Sequence, residues 1–203
     1  MPDVIEIAKS ARASCRGCGR SIARGELRFG ESLPNAYAEG ESLFWFHLMC
    51  AACMRPEKFG PALEMCSQSI PESEWLRQAA NGGLAHHRLS RLVRAERAPS
   101  GSAHCRECRE LVGKGSWRFA LQMFEEGRRQ PIGTIHAECA EAYFGTNDIL
   151  DRIQRLTEGL KPAELSEIEH LIRGQRLNEG PPDFVRSPRP DQGLIAKLQQ
   201  APQ

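Results

Sequence analysis

The sequence has few bulky apolar side chains for its length. Aromatic residues make up only 6 % of 203 residues, whereas Gly and Pro together number 31 (18 + 13). A deep single hydrophobic core is therefore not expected, and something besides apolar burial must help to hold the fold. At ~150 residues per domain, this length predicts one domain or two small ones.

Long apolar runs are also missing. No stretch of the sequence is apolar for the roughly 18 or more residues that a membrane-spanning helix needs, so no membrane partner is expected. The first residues carry acids and no apolar segment with a small-residue cleavage site. The sequence therefore predicts an intracellular location, which would be the cytoplasm or nucleoid in a bacterium and the nucleus in a eukaryote.

An excess of one charge is absent, because the formal net charge is only +1. A chain-wide basic field of the kind that many nucleic-acid-binding domains carry is therefore excluded. Basic side chains nevertheless concentrate near the N-terminus, at Lys9, Arg12, Arg16, Arg20, Arg24 and Arg28. Any anion-binding face is expected there.

Sequence motifs of the common enzyme classes are missing as well. The chain contains no nucleophile elbow, phosphate-binding Walker loop, dinucleotide fingerprint or kinase motif set. We therefore expect a protein that is not an enzyme.

What the sequence does contain is eight cysteines, six of them in a repeated pattern. The first copy comprises Cys15, Cys18, His47 and Cys50, and the second comprises Cys105, Cys108, His136 and Cys139. Other residues follow the same offset of 90 positions (15 to 105), including Arg28 with Arg118 and Phe29 with Phe119. Matching at this density indicates an internal duplication.

Structural zinc explains this pattern better than disulfides do. Disulfides need an oxidising compartment, for which the N-terminus gives no signal. Two close ligand pairs from distant segments are what a four-coordinate zinc ion requires, because each two-residue spacing presents two donors to one ion. The sequence predicts two zinc ions per chain. Four protein ligands leave no coordination position for a catalytic water, which argues against a zinc hydrolase.

An all-cysteine site is a second possibility in the first copy. Cys50 and Cys53 form another closely spaced pair, so Cys15, Cys18, Cys50 and Cys53 could bind the metal. The second copy has Ala142 where Cys53 would recur after Cys139, so only three cysteines and one histidine are available to both copies. Cys53 and Cys66 are predicted to be small core residues.

The first copy resembles the PARP-type zinc finger, which occurs in poly(ADP-ribose) polymerases and in a eukaryotic DNA ligase. Three features carry the resemblance: the approach IEIAKSARASCRGC at residues 5–18, the stretch at residues 24–29, and FWFHLMC at residues 44–50. The resemblance implies binding to DNA strand breaks. Basic residues would hold backbone phosphates, while apolar loop residues would stack on bases exposed at the discontinuity.

Carried over to this chain, the resemblance places phosphate contacts on Arg12 and Arg28, and Arg16 lies in the same basic segment. The stacking loop falls on residues 33–38, where Leu33 and Tyr37 are the candidates. Arg28 lies between two apolar residues, so its side chain is expected to point outward from a strand.

The second copy is more diverged. Ser102 replaces Arg12 and Thr134 replaces Trp45, whereas Arg118 persists in the place of Arg28, with Met123 and Phe124 in the loop that could face a base. This module could bind DNA, bind a partner or act as a structural unit.

The fold class expected is small α+β zinc-stabilised modules, with two tandem fingers, a helical linker and a C-terminal pair of amphipathic helices. The boundaries are 1–60 (first finger), 61–101 (linker), 102–145 (second finger), 146–173 (helical pair) and 174–203 (a mostly disordered tail). Within the linker, one short helix opens at residues 71–76 and ends at 81–83, and a second helix is predicted over 84–97.

Two functions follow. The first is zinc-dependent, non-sequence-specific binding of DNA breaks or ends in repair or damage signalling, with a repair protein as a further partner through the second module or the C-terminal helices. The alternative is a zinc-stabilised adaptor for protein interactions that does not recognise DNA ends itself.

Overall fold

The computed structural model describes residues 2–35, 39–125 and 127–174. Tyr37 and all but the first residue of the expected disordered tail lie outside these ranges. The described residues form two three-stranded antiparallel sheets and six α-helices. Within the same residues, no helix has the length and apolar character needed to cross a membrane.

In chain order the elements are β1 (Val4–Ile7), β2 (Leu27–Pro34), β3 (Glu41–His47), α1 (Leu48–Met54), α2 (Pro56–Met65), α3 (Ser73–Ala85), a 3-10 turn (His87–Arg91), β4 (Leu92–Arg97), β5 (Trp117–Glu125), β6 (Arg128–His136), a 3-10 turn (Ala137–Cys139), α4 (Ala140–Phe144), α5 (Leu150–Leu156) and α6 (Pro162–Ile172).

The first sheet has the order β1-β2-β3 and presents one apolar face to α1 and α2. Phe29 pairs in register with Ile5 on one side and Phe46 on the other. Phe59 of α2 meets the Phe29 ring edge-on, with 5.5 Å between the ring centroids. All three phenylalanines are fully buried, so a few aromatic rings form the centre of this module.

The second sheet, β4-β5-β6, repeats the first. Phe119 pairs with Ala95 and Ile135, as Phe29 pairs with Ile5 and Phe46. The prediction of a helix over residues 84–97 is therefore wrong, since residues 92–97 form β4. This strand buries Leu92 and Ala95 and provides the edge partner of β5, and tertiary pairing of this kind overrides local helical spacing.

Helix α3 continues to Ala85 instead of ending at residues 81–83. A Cβ atom at Gly83 would lie only 3.0 Å from Cγ of Pro56 in α2. A glycine here lets the two helices approach closely, so Gly83 has a packing role inside the helix.

The two halves pack directly on one another through β5. The Nε2 atom of Gln122 donates a hydrogen bond of 3.2 Å to the carbonyl of Gly17, in the loop between β1 and β2. The Phe124 ring meets the Phe46 ring edge-on, with 5.1 Å between the ring centroids. The Arg55 guanidinium lies over the Phe124 ring, 5.1 Å from its centroid. Phe124 therefore packs against the first module's core.

A second connection comes from a buried arginine in α5. Arg152 donates hydrogen bonds to the carbonyl oxygens of Cys53 (3.0 Å), in the last turn of α1, and of Ala79 (2.6 Å) in α3. Only 6 % of Arg152 is exposed. A cation at the C-terminal end of a helix is favoured by the partial negative charge of its carbonyl groups.

We expect Arg152→Met to lower the free energy of unfolding by about 1–3 kcal/mol, because two buried carbonyl groups would lose their donor. Chemical denaturation of the zinc-loaded chain measures this difference. Arg173→Met, which changes an exposed arginine just after α6, is the control and should change stability by less than about 0.5 kcal/mol. Equal effects of the two substitutions would contradict a connecting role for Arg152.

Candidate metal centres and nucleic-acid interface

Four side chains converge beside the first sheet. Cys15 and Cys18 come from the turn before β2, His47 ends β3, and Cys50 lies in the first turn of α1. Their four possible ligand atoms all lie within 4.8 Å of one another. The Cys18 Sγ atom is 3.4 Å from His47 Nδ1, close to the ~3.5 Å between neighbouring donors around a tetrahedral zinc ion.

Hydrogen bonds orient the histidine for metal binding through Nδ1. The His47 Nε2 atom lies 3.3 Å from the carbonyl oxygen of Ser21. A carbonyl can only accept, so Nε2 carries the proton and Nδ1 keeps its lone pair for a metal. The backbone N–H of His47 donates a hydrogen bond of 3.4 Å to Cys15 Sγ, which helps to position that ligand.

The second cluster repeats this arrangement atom by atom. The ligand atoms of its four residues, Cys105, Cys108, His136 and Cys139, also lie within 4.8 Å of one another. The His136 Nε2 atom is 3.2 Å from the carbonyl oxygen of Leu111, and its backbone N–H donates to Cys105 Sγ at 3.4 Å. The duplication therefore includes the hydrogen bonds that orient the ligands.

Cys53 lies outside the cluster, in agreement with the set of three cysteines and one histidine. Its side chain is fully buried in the first module's core. Burial raises the pKa of the Cys53 thiol, which favours its neutral form over a metal-binding thiolate.

Two arginines considered for phosphate contact, Arg28 and Arg118, form ion pairs with glutamates on neighbouring strands. Arg28 on β2 is 9 % exposed, and its Nη2 atom lies 2.6 Å from a carboxylate oxygen of Glu6 on β1. Its guanidinium stacks on the Trp45 ring, 3.5 Å from the centroid. Arg28 faces away from the Phe29 core, as the alternation predicts, but it is not solvated, because the neighbouring strands supply a carboxylate and an aromatic ring that cover it.

Arg118 has the equivalent partner in the second module, a glutamate on the neighbouring strand. Its Nη2 atom lies 2.6 Å from Glu96 on β4, at the position equivalent to Glu6. Burial acts to raise the pKa of Glu96, but hydrogen bonds from Arg118 and Arg94 hold it below its usual value. The glutamates were not singled out by the sequence reasoning, although Glu6 and Glu96 obey the same offset of 90 and so could have been found.

The other predicted contact residues differ in their placement. Arg12 and Arg16 are exposed, in the loop between β1 and β2, and the Arg16 guanidinium lies 5.0 Å from the Phe44 centroid. Leu33, near the end of β2, is half-buried and pairs with Ser42. Tyr37 belongs to the residues that the structure does not describe. Arg12 and Arg16 therefore lie close to the first metal cluster in sequence and remain open to solvent.

Comparison with known proteins agrees with this site. Residues 6–82 match the model of the poly(ADP-ribose) polymerase and DNA-ligase zinc-finger region. These residues include all four ligands of the first cluster.

Curated relatives match more of the chain. A poly(ADP-ribose) polymerase from Sarcophaga peregrina is 27 % identical over 197 residues, covering 85 % of this chain and 20 % of the relative. Poly(ADP-ribose) polymerase 1 from Oryza sativa subsp. japonica is 44 % identical over 143 residues (66 % of this chain, 14 % of the relative), and that from Gallus gallus is 27 % identical over 161 residues (66 % and 15 %). The chain thus spans a fifth or less of the length of these relatives.

The fold and the two four-ligand clusters define a tandem zinc-module protein with closed metal sites. Its first module is a zinc finger of the poly(ADP-ribose) polymerase and DNA-ligase type. The cofactor is zinc, and each module provides one cluster that can hold an ion. Because four protein side chains fill a tetrahedral coordination sphere, the metal here has a structural role.

We expect two zinc ions per chain, and we expect Cys15→Ala to lose one and unfold the first module. Structural zinc contributes an apparent ~10–16 kcal/mol to small modules of this kind. Metal analysis by mass spectrometry together with circular dichroism would measure both effects. Cys53→Ala is the matched control and should retain two ions. Loss of a metal ion from this variant would instead support the alternative in which Cys53 replaces His47 as a ligand.

Proposed function

We propose that this protein binds DNA strand breaks and ends without reading base sequence, through a surface centred on the first zinc finger. The observation that carries the proposal is the closed metal cluster beside exposed arginines in a module of the family described above. Zinc would tie the turn before β2 to the junction of β3 and α1, so this surface is fixed before any DNA is bound. A surface that is already ordered lowers the entropic cost of binding.

Phosphate contacts are assigned to the exposed arginines. Among the described residues, neither Arg12 nor Arg16 forms an ion pair with an acidic side chain, so both can accept a phosphate without losing a partner. Arg28 and Arg118 would first have to leave Glu6 and Glu96. We therefore propose that these two arginines support the strands that carry the contact surface.

Base stacking is assigned to Leu33 and Tyr37. Stacking on a base requires that one neighbour of the base be missing, since an intact duplex hides the faces of its bases. A surface that combines phosphate contacts with a stacking side chain therefore selects a discontinuity over continuous duplex.

The proposal extends to the rest of the chain and to its biological role. We propose a role in DNA repair or damage signalling inside the cell, with no catalytic activity in these modules. We also propose that the chain divides into the two fingers, the linker and the C-terminal pair described above, with β4 added to the second finger because it completes that sheet. We propose that a repair protein contacts the outward faces of α5 and α6, because their apolar residues, including Ile153 and Ile168, are buried in the second module's core.

We expect nicked, gapped or blunt-ended duplex to bind more tightly than a covalently closed circle of the same sequence. One stacked base contributes ~1–3 kcal/mol, which corresponds to a preference of roughly five- to hundredfold. Competition binding at fixed salt measures this preference. Tyr37→Ala should reduce it while leaving binding to closed circles nearly intact.

The control for this substitution is Leu84→Ala, which removes an exposed apolar side chain from α3 and should leave the preference unchanged. Equal competition by closed circles would contradict break recognition. No binding to any DNA at moderate salt would favour the protein-interaction adaptor instead.

Arg12→Ala and Arg28→Ala are expected to act differently. Arg12→Ala should remove one exposed phosphate contact and so reduce the slope of the logarithm of the DNA-binding constant against the logarithm of salt concentration by about 0.9. Arg28→Ala should instead lower the free energy of unfolding by about 1.5–3 kcal/mol, because Glu6 would lose its charged hydrogen-bond donor. Salt titrations and chemical denaturation of both variants test the assignment, and the reverse pattern would overturn it.

A further inference from the structure

The β5–β6 hairpin of the second module reaches the first metal cluster. Phe124 and Arg129 face each other across its two strands, and directly opposed residues extend their side chains on the same face of a sheet. On this face Phe124 packs against the core of the first module, and Arg129 lies beside Gly19, the residue after the ligand Cys18.

Gly19 has no side chain where Arg129 approaches. A Cβ atom at this position would lie 2.9 Å from Arg129 Nη2 and 3.0 Å from Nη1, so the guanidinium would have to shift to make room for it. Gly19 has φ +82°, but Arg109 occupies the equivalent position in the second module with φ +69°. A left-handed backbone therefore does not by itself require glycine here, and in the absence of a side chain at Gly19 the Arg129 guanidinium lies directly against the backbone next to Cys18.

Arg16 lies beside the same contact between the β5–β6 hairpin and the first module. Its guanidinium stacks over Phe44, at 5.0 Å from the centroid, and the Phe44 ring also lies against Gly127 in the hairpin turn, where an added Cβ would meet Cε1 at 2.4 Å. Phe44 thus separates an exposed arginine of one module from the exposed arginine-bearing hairpin of the other. Within the described ranges, neither Arg16 nor Arg129 has an acidic partner.

We infer that Arg129 of the second module is part of the DNA-binding surface of the first, where with Arg16 it holds the phosphate backbone of one DNA molecule. This inference rests on the proposed function, and it gives the diverged second module a specific part in it. The second module contributes a phosphate contact through its hairpin, although its own Arg118 is engaged with Glu96. Arginine suits this position because its planar guanidinium can lie flat on the Gly19 backbone and still present N–H groups to a phosphate.

The inference is tested by the salt dependence of binding to a nicked duplex, measured by fluorescence anisotropy with the full zinc-loaded chain. Arg129→Ala should reduce the slope of log K against log salt by about 0.9. Arg173→Ala removes the same charge just after α6 and is the control, for which an unchanged slope is expected. Arg129→Lys keeps the charge and should keep the slope.

A slope that is unchanged in Arg129→Ala would overturn the inference, and so would an equal reduction in Arg129→Lys, because the residue would then act through packing alone. The proposed function fails by a different result, namely a wild-type chain that binds nicked and closed DNA equally. A wild type that prefers the nick, combined with an unaffected Arg129→Ala variant, would leave the proposed function standing and remove only the hairpin from it.

Discussion

The fold depends on bringing two distant ligand pairs to one metal ion. In the first module the paired ligands Cys18 and His47 are 29 positions apart, and in the second Cys108 and His136 are 28 apart. Each module has few large apolar side chains, so core burial alone would leave it marginal. Zinc joins the loop before the central strand to the start of the following helix, and that junction fixes the sheet edge and the loops beside it.

Much of this arrangement could be predicted from the sequence because the ligand spacing and the offset of 90 positions are explicit. The same offset maps Glu6 and Ala8 onto Glu96 and Ala98, and applied there it would have predicted β4. The local spacing of residues 84–97 predicted a helix instead, although residues 87–97 form a 3-10 turn and a strand. The burial of Arg28 was not predictable, because alternation along one strand does not say what its neighbours place over that face.

The connection between the modules could not be predicted from the sequence either, because it depends on which residues the tertiary structure brings together. Phe124 and Arg152 are ordinary residues in local terms. Only the tertiary structure shows that Phe124 packs against the first module's core and that Arg152 donates hydrogen bonds to carbonyl groups of two of its helices. The second module has lost Arg12 and Trp45 equivalents and retains its metal ligands. A duplicated finger can thus change from an independent binding surface into a support that adds its hairpin to the first.

Zinc holds the proposed DNA-binding surface in place. The most direct test is to measure affinity for a nicked duplex while a chelator removes zinc from the chain and zinc is then returned. The account predicts that affinity falls as the metal leaves and recovers when two equivalents of zinc are restored. The helical circular dichroism signal should be lost and regained in parallel. A zinc-free chain that binds the nicked duplex as tightly as the loaded one would contradict it.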